Sequence, residues 1–425
     1  MNYFEMSKAE LDAQLKKLEK EYADYKEMNL NLDMSRGKPG DEQLDLSEGL
    51  FTAVLDGKDC KALNGVDCRN YGVLDGIPRI KEMFAKILGV DVSEVMVGGN
   101  SSLNMMFDTV SAMMTKNVHG GTPWGRLDKI KWLCPSPGYD RHFGITEYFG
   151  FEMITVPMTP EGPDMDMIEK LVSEDASIKG IWCVPKYSNP QGITYSDETV
   201  RRFARLNPAA DDFRIMWDNA YVIHDISEKG DTLLNLMDEC KKCGTEDLPI
   251  IFTSTSKITF PGSGVACMAA SKNNMKFIKK KYAVQTIGYD KLNMLRHVRF
   301  FGDYDGLMAH MQKHRAVLEP RFNAVLEKLE NQLGGMGIAE WIKPHGGYFV
   351  SVDVMDGCAK RVVQLCKEAG VILTSAGATF PYGNDPRDSN IRLAPTLPPV
   401  EELKTAMDLF CICTKLAALE KLTRN

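Results

Sequence analysis

Between about residues 93 and 270, short apolar runs alternate with longer amphipathic segments. The runs are VMVGG (95–99), IKWLCPSPG (130–138), FEMITVPM (151–158), IKGIWCVP (178–185), FRIMWDNA (213–220) and PIIFTSTS (249–256). Between them, SSLNMMFDTVSAMMTK and SDETVRRFARLNP carry apolar residues at helical spacing. Strands alternating with helices predict an α/β domain with a mostly parallel sheet of the seven-stranded type, flanked by helices. Nearly every run ends in Gly, Pro, Asn, Asp or Ser. Open α/β sheets bind their ligands beyond the carboxyl ends of the strands, so these ends are where chemistry is sought.

After about residue 305 the pattern changes. DGLMAHMQKHRAVLEPRFNAVLEKLENQLGG predicts a long amphipathic helix, broken or kinked near Pro320 and ended by Gly334-Gly335. Strand-like GYFVSVDV (347–354), helical CAKRVVQLCKEAG and strand-like NIRLAP (390–395) follow. These form a smaller α+β unit. The opening segment predicts an amphipathic helix, with Leu11, Leu15 and Leu18 on one face, then the turn-rich SRGKPGDEQLDL. The expected organisation is therefore 1–55 as an N-terminal arm with part of the small domain, 56–305 as the large domain and 306–425 as the C-terminal small domain.

Composition narrows the function. With 425 residues, 44% hydrophobic and 26% charged, the chain is globular and long enough for two domains. A formal net charge of −7 argues against a nucleic-acid surface. No apolar stretch reaches the length of a membrane span, and no apolar signal core opens the chain. Eleven scattered cysteines suit a reducing cytoplasm. Cys240 and Cys243 form a CxxC without a second pair at zinc-site spacing, so no metal is expected.

The strand ends carry the candidate chemistry. Gly98-Gly99-Asn100-Ser101-Ser102 opens a helix, a pattern that suits an anion or a plain N-cap. Asn189, in a Pro/Gly turn, is either a turn residue or an amide donor to a ligand. Asp218, at the end of an apolar strand, needs a cation or a protonated nitrogen to offset its desolvation, and Tyr221 follows it by one turn. Lys257 lies just past the run PIIFTSTS, beside Ser254 and Ser256. It is either a solvated loop residue or an amine made nucleophilic by burial.

Together these blocks give the chain a specific resemblance. Asn189-Pro190-Gln191-Gly192, Asp218-Asn219-Ala220-Tyr221 and Ser254-Thr255-Ser256-Lys257 stand in the order of the N-P-x-G, D-x-x-Y and S-x-S-K blocks of a fold-type-I, pyridoxal-phosphate (PLP) dependent class I/II aminotransferase. The chain is most similar to an unusual bacterial group of aspartate aminotransferase-like proteins. The resemblance implies that Lys257 holds PLP as a Schiff base and, once freed, acts as the general base. It implies that Asp218 pairs with the ring nitrogen, and that Asn189 and Tyr221 donate to the ring oxygen. Gly99, Asn100, Ser101 and Ser254, with Ser256 beside them, would hold the phosphate. Tyr139 would stack on the ring, with His142 and Phe143 as rivals. Tyr71 would reach the phosphate of a neighbouring subunit, so a homodimer with shared active sites is implied. Arg392 would clamp the substrate carboxylate, with Gly37 and Asn189 also at the substrate.

Gly346-Gly347 resemble the family's turn into the small-domain sheet. One departure is clear: Gly264 stands where most relatives carry a phosphate-binding arginine. The expected reaction is ping-pong transfer of an amino group between an amino acid and a 2-oxo acid, with aspartate or glutamate favoured by analogy. Arg36, Lys38 and Arg141 are candidates for a second substrate carboxylate. The rival readings are a PLP lyase or decarboxylase on the same scaffold, or transamination of another amino acid. A regulator is disfavoured because the residues ahead of Ser35 are too few for a winged-helix module.

Overall fold

The structure is a computed structural model and describes residues 2–116 and 120–424. The main sheet has eight strands in the order Val95–Val97, Ala266–Ala270, Pro249–Ser254, Arg214–Asp218, Ile178–Cys183, Lys131–Ser136, Glu152–Thr159 and Gly162–Pro163. The five from Pro249–Ser254 to Glu152–Thr159 are mutually parallel. The pairings outside them are antiparallel. Six of the strands are the apolar runs of the sequence. Ala266–Ala270 escaped notice because its small residues show no alternation. The two-residue edge Gly162–Pro163 makes the sheet eight-stranded, not seven-stranded.

Strands such as Ile178–Cys183 and Arg214–Asp218 are buried along their whole length. Apolar clusters cover both faces, which explains continuous apolar runs in place of alternation. A second sheet pairs Ala339–Trp341, Val350–Val354 and Asn390–Leu393 antiparallel. Its apolar core takes in Leu11 and Leu18 of the helix Lys8–Glu27, so the amino-terminal helix packs with the carboxyl-terminal elements. A short parallel pairing of Leu32–Asp33 with Val371–Ile372 extends that link. It carries the SRGKPG loop toward the ends of the main strands.

Of the break or kink expected near Pro320, the break does not occur. The helix runs unbroken over Tyr304–Leu333 with Pro320 inside it. Leu318, Phe322, Val325 and Leu329 are buried around that point. Each buried side chain of this size contributes roughly 1.5–3 kcal/mol, enough together to offset the lost backbone hydrogen bond.

Candidate active site

The strand ends and the small sheet together line a cavity of about 650 Å³. Asp218, the last residue of its strand, is buried. Its Oδ2 lies 2.9 Å from His142 Nε2. Its Oδ1 is buried without a hydrogen-bond partner and belongs to a residue lining the cavity. His142 is in turn stacked on Trp182, with ring centroids 4.6 Å apart. A carboxylate with one oxygen anchored and the other free is poised to accept from a protonated group.

Lys257 is half-buried, and its Nζ lies 5.1 Å from the ring centroid of Tyr221 and 5.7 Å from that of Tyr348. Burial pushes its amine below the usual lysine range; Asp218 opposes that shift and Arg392 adds to it. The Lys257 carbonyl accepts from Tyr348 Oη at 3.3 Å, and Tyr348 Oη accepts from Gln43 at 2.9 Å. His310 and His314 converge on the next carbonyl, that of Ile258, each at 2.8 Å. Burial drives His314 down to about 4, aided by His310, so this support is neutral. Nothing in the spacing of Gln43, His314 and Tyr348 points to this convergence.

Asn189 is buried and accepts a hydrogen bond from Arg392 Nη1 through Oδ1 at 3.2 Å. Arg392 is 6% exposed, lies over the Phe349 ring at 4.8 Å and also pairs with Asp140 Oδ1 at 2.9 Å. Ser101 is the N-cap residue of the helix Ser102–Thr115, yet its side chain makes no capping bond. Ser254 and Ser256 share a hydroxyl hydrogen bond of 3.0 Å. All three serines line the cavity.

The structure thus brings Lys257, Asp218, Tyr221, Asn189, Ser101, Ser254, Ser256, Tyr139, Gly37 and Arg392 to one cavity. Gly99 and Asn100 sit just behind, where Asn100's carbonyl accepts from Ser256 Oγ at 3.2 Å. Of the three aromatic rivals, Tyr139 faces the cavity. His142 is engaged with Asp218 and Phe143 is buried. Tyr71 is 82% exposed and does not line the cavity of its own chain. A Cβ at Gly264 would lie 3.1 Å from the Asn100 carbonyl oxygen and 3.3 Å from Ser256 N. The two loops therefore close over that position without room to spare. At the turn before the small sheet, a Cβ on Gly346 would fall 2.1 Å from the Tyr187 ring, so the glycine is required by contact.

A half-buried lysine facing a half-satisfied aspartate at the ends of a parallel sheet defines an α/β enzyme with a two-walled active site. The sequence profile of the aspartate amino-transferase family matches residues 6–425. The aspartate aminotransferase of Corynebacterium glutamicum is 47% identical over 95% of this chain and 93% of its own. The crystal structure of an aspartate transaminase from that organism superposes with a TM-score of 0.96, at 44% identity and 99% coverage of both chains. More distantly, a kynurenine aminotransferase from Pyrococcus horikoshii, solved in complex with PMP, shares the fold with a TM-score of 0.74. It is 19% identical, with 99% of this chain and 96% of that one covered. The chain belongs to the aspartate amino-transferase family, and it is an aminotransferase.

Among the described residues, no group of three or more His, Cys, Asp or Glu side chains could hold a metal ion. No described helix is long and apolar enough to cross a membrane.

Proposed function

We propose that the enzyme uses pyridoxal 5′-phosphate to move the amino group of aspartate or glutamate to a 2-oxo acid. The observation that carries this reading is Lys257 at a strand end facing the same cavity as the unpaired Oδ1 of Asp218. The residues present fit the cofactor. Lys257 supplies an amine for its aldehyde, and Asp218 an acceptor for a protonated ring nitrogen. Asn189 and Tyr221 supply donors near the ring, and Tyr139 a ring face. Ser101, Ser254, Ser256 and the start of the helix Ser102–Thr115, with Gly99 and Asn100 behind, make an anion site that does not depend on an arginine at 264. When bound, the cofactor supplies an electron sink that acidifies the substrate Cα–H.

The protein's own part is positional and acid–base. His142 fixes the Asp218 carboxylate, so its free oxygen stays on the cavity side. Burial lowers the amine of Lys257, which is the direction that a base moving a proton at the substrate Cα requires. Arg392 is suited to a bidentate hold on the α-carboxylate, with Gly37 and Asn189 packed at the same place. Five basic side chains (Arg36, Lys38, Arg141, Lys257 and Arg392) line the cavity against two carboxylates, Asp140 and Asp218. That balance favours a dicarboxylic substrate over a neutral one. The outer cations Arg36, Lys38 and Arg141 are the candidates for its side-chain carboxylate.

The apolar cores support a large domain over 56–305 and a small domain formed by 306–425 with part of 1–55, with Val184, Tyr187, Tyr221 and Ile226 packing into the small-domain core and Leu307 and Met311 into the large-domain one. The exposure of Tyr71 suits a homodimer in which it completes the partner's phosphate site. Eleven cysteines without a disulfide suit the cytoplasm. The test is spectroscopic. Purified protein should carry a visible cofactor band that borohydride fixes onto Lys257, and single amino acids should bleach it, aspartate or glutamate at the lowest concentration. Fixation on a different lysine defeats the assignment.

A further inference from the structure

Arg392 is not idle in this structure. Its Nη1 is shared between Asn189 Oδ1 at 3.2 Å and Asp140 Oδ1 at 2.9 Å, while its Nε is buried without a partner. Asp140 is the first residue of the helix Asp140–Tyr148 and follows Tyr139, which also lines the cavity. Its side chain is 34% exposed against 6% for that of Arg392. The aspartate therefore has room to leave, whereas the arginine, packed on Phe349 and tied to Asn189, does not. A buried guanidinium without an anion is costly, and an incoming carboxylate must compete for the same fork.

We propose that Asp140 is a displaceable internal counter-ion that sets the affinity of the Arg392 site for carboxylates. With no substrate bound, Asp140 neutralises the fork. When a substrate carboxylate arrives, it replaces Asp140 at Nη1, and Asp140 turns outward toward solvent. Asp140 thus opposes binding, and it keeps the site from being held by any passing carboxylate. This rests on the reading of Arg392 as the α-carboxylate clamp.

Titration calorimetry of the holoenzyme tests it, with succinate and butyrate as unreactive di- and monocarboxylates. Asp140→Asn should tighten both by a similar factor, roughly two- to fivefold, the scale of one partly exposed ion pair. Combined with Arg392→Ala, the same substitution should change neither affinity, because no fork remains to be competed for. A general field effect would survive in the double variant and would overturn the proposal. Unchanged or weaker binding in Asp140→Asn, or tightening of succinate alone, would also overturn it. Asp140→Ser, which keeps a polar side chain at the helix start, carries the same test if the asparagine variant folds poorly. If Arg392→Ala by itself leaves both affinities within twofold, the clamp reading fails instead, whatever Asp140 does.

Discussion

The two walls of the cavity are built in opposite ways. On the inner wall, Asp218 and Asn189 are buried, and Tyr221 and Lys257 follow strands that are buried throughout or up to their last residue. Each is held by packing or by a second residue, as His142 holds Asp218 and Tyr348 holds the Lys257 backbone. On the outer wall, Arg36, Lys38 and Arg141 are exposed, on a loop and at the start of a helix. Burial changes what a charge is worth: it lowers the amine of Lys257 and makes unpaired atoms costly, whereas exposed cations are screened by water. On the proposed reading, the inner wall carries reactivity and the outer wall carries selection. Arg392 belongs to the small sheet but is buried like an inner-wall residue.

That contrast can be broken by substitution. Lys257→Ala should reduce turnover by about four orders of magnitude or more, since the proposed roles of covalent anchor and base are both removed. Single-turnover measurement with added amine checks it, and partial rescue by a small amine would tie the loss to the base.

Arg392→Ala should lower kcat/KM about a hundredfold for every amino acid tried, because the proposed charge-assisted bidentate contact would be common to all of them. Arg392→Lys should recover only part of that. A loss confined to aspartate would move Arg392 to the outer class.

Behind the inner wall, His314 should make the fold acid-sensitive. Its folded value near 4 lies below the unfolded value near 6.5, so between them the unfolded chain binds the extra proton and stability falls as pH falls. The expected loss from this group is on the order of 2 kcal/mol between pH 7 and 5. Denaturant unfolding at the two pH values should show a shallower dependence in His314→Gln; an identical slope would remove His314 from the account.

The smallest effect is expected at the rim. Replacing Arg36, Lys38 or Arg141 singly should cost about tenfold or less for aspartate and leave alanine unchanged, the scale of an exposed ion pair. Parallel kcat/KM measurements with both substrates decide which cation matters. Equal losses for both substrates would mean that the rim does not select.

Much of this was legible in the sequence because the information is local. Buried parallel strands require unbroken apolar runs, so six of the eight main strands announce themselves. The candidate site residues stand where those runs stop, so Asp218, Lys257 and Ser254 could be singled out by position. Their family resemblance followed from the order of three short blocks.

Only the tertiary structure decided the partners. His142 looked like a rival for ring stacking and is instead the anchor of Asp218, because a stacking ring and a hydrogen-bonding ring have the same sequence signal. Asp140 facing Arg392, and Gln43, Tyr348 and His314 converging behind Lys257, join residues separated by 252, 305 and 271 positions in the chain. Pro320 reads as a helix breaker by its own chemistry and is overruled by the apolar surface buried around it. Local backbone preference and periodicity are written in neighbouring residues, whereas a hydrogen bond across the fold exists only once packing has brought its ends together.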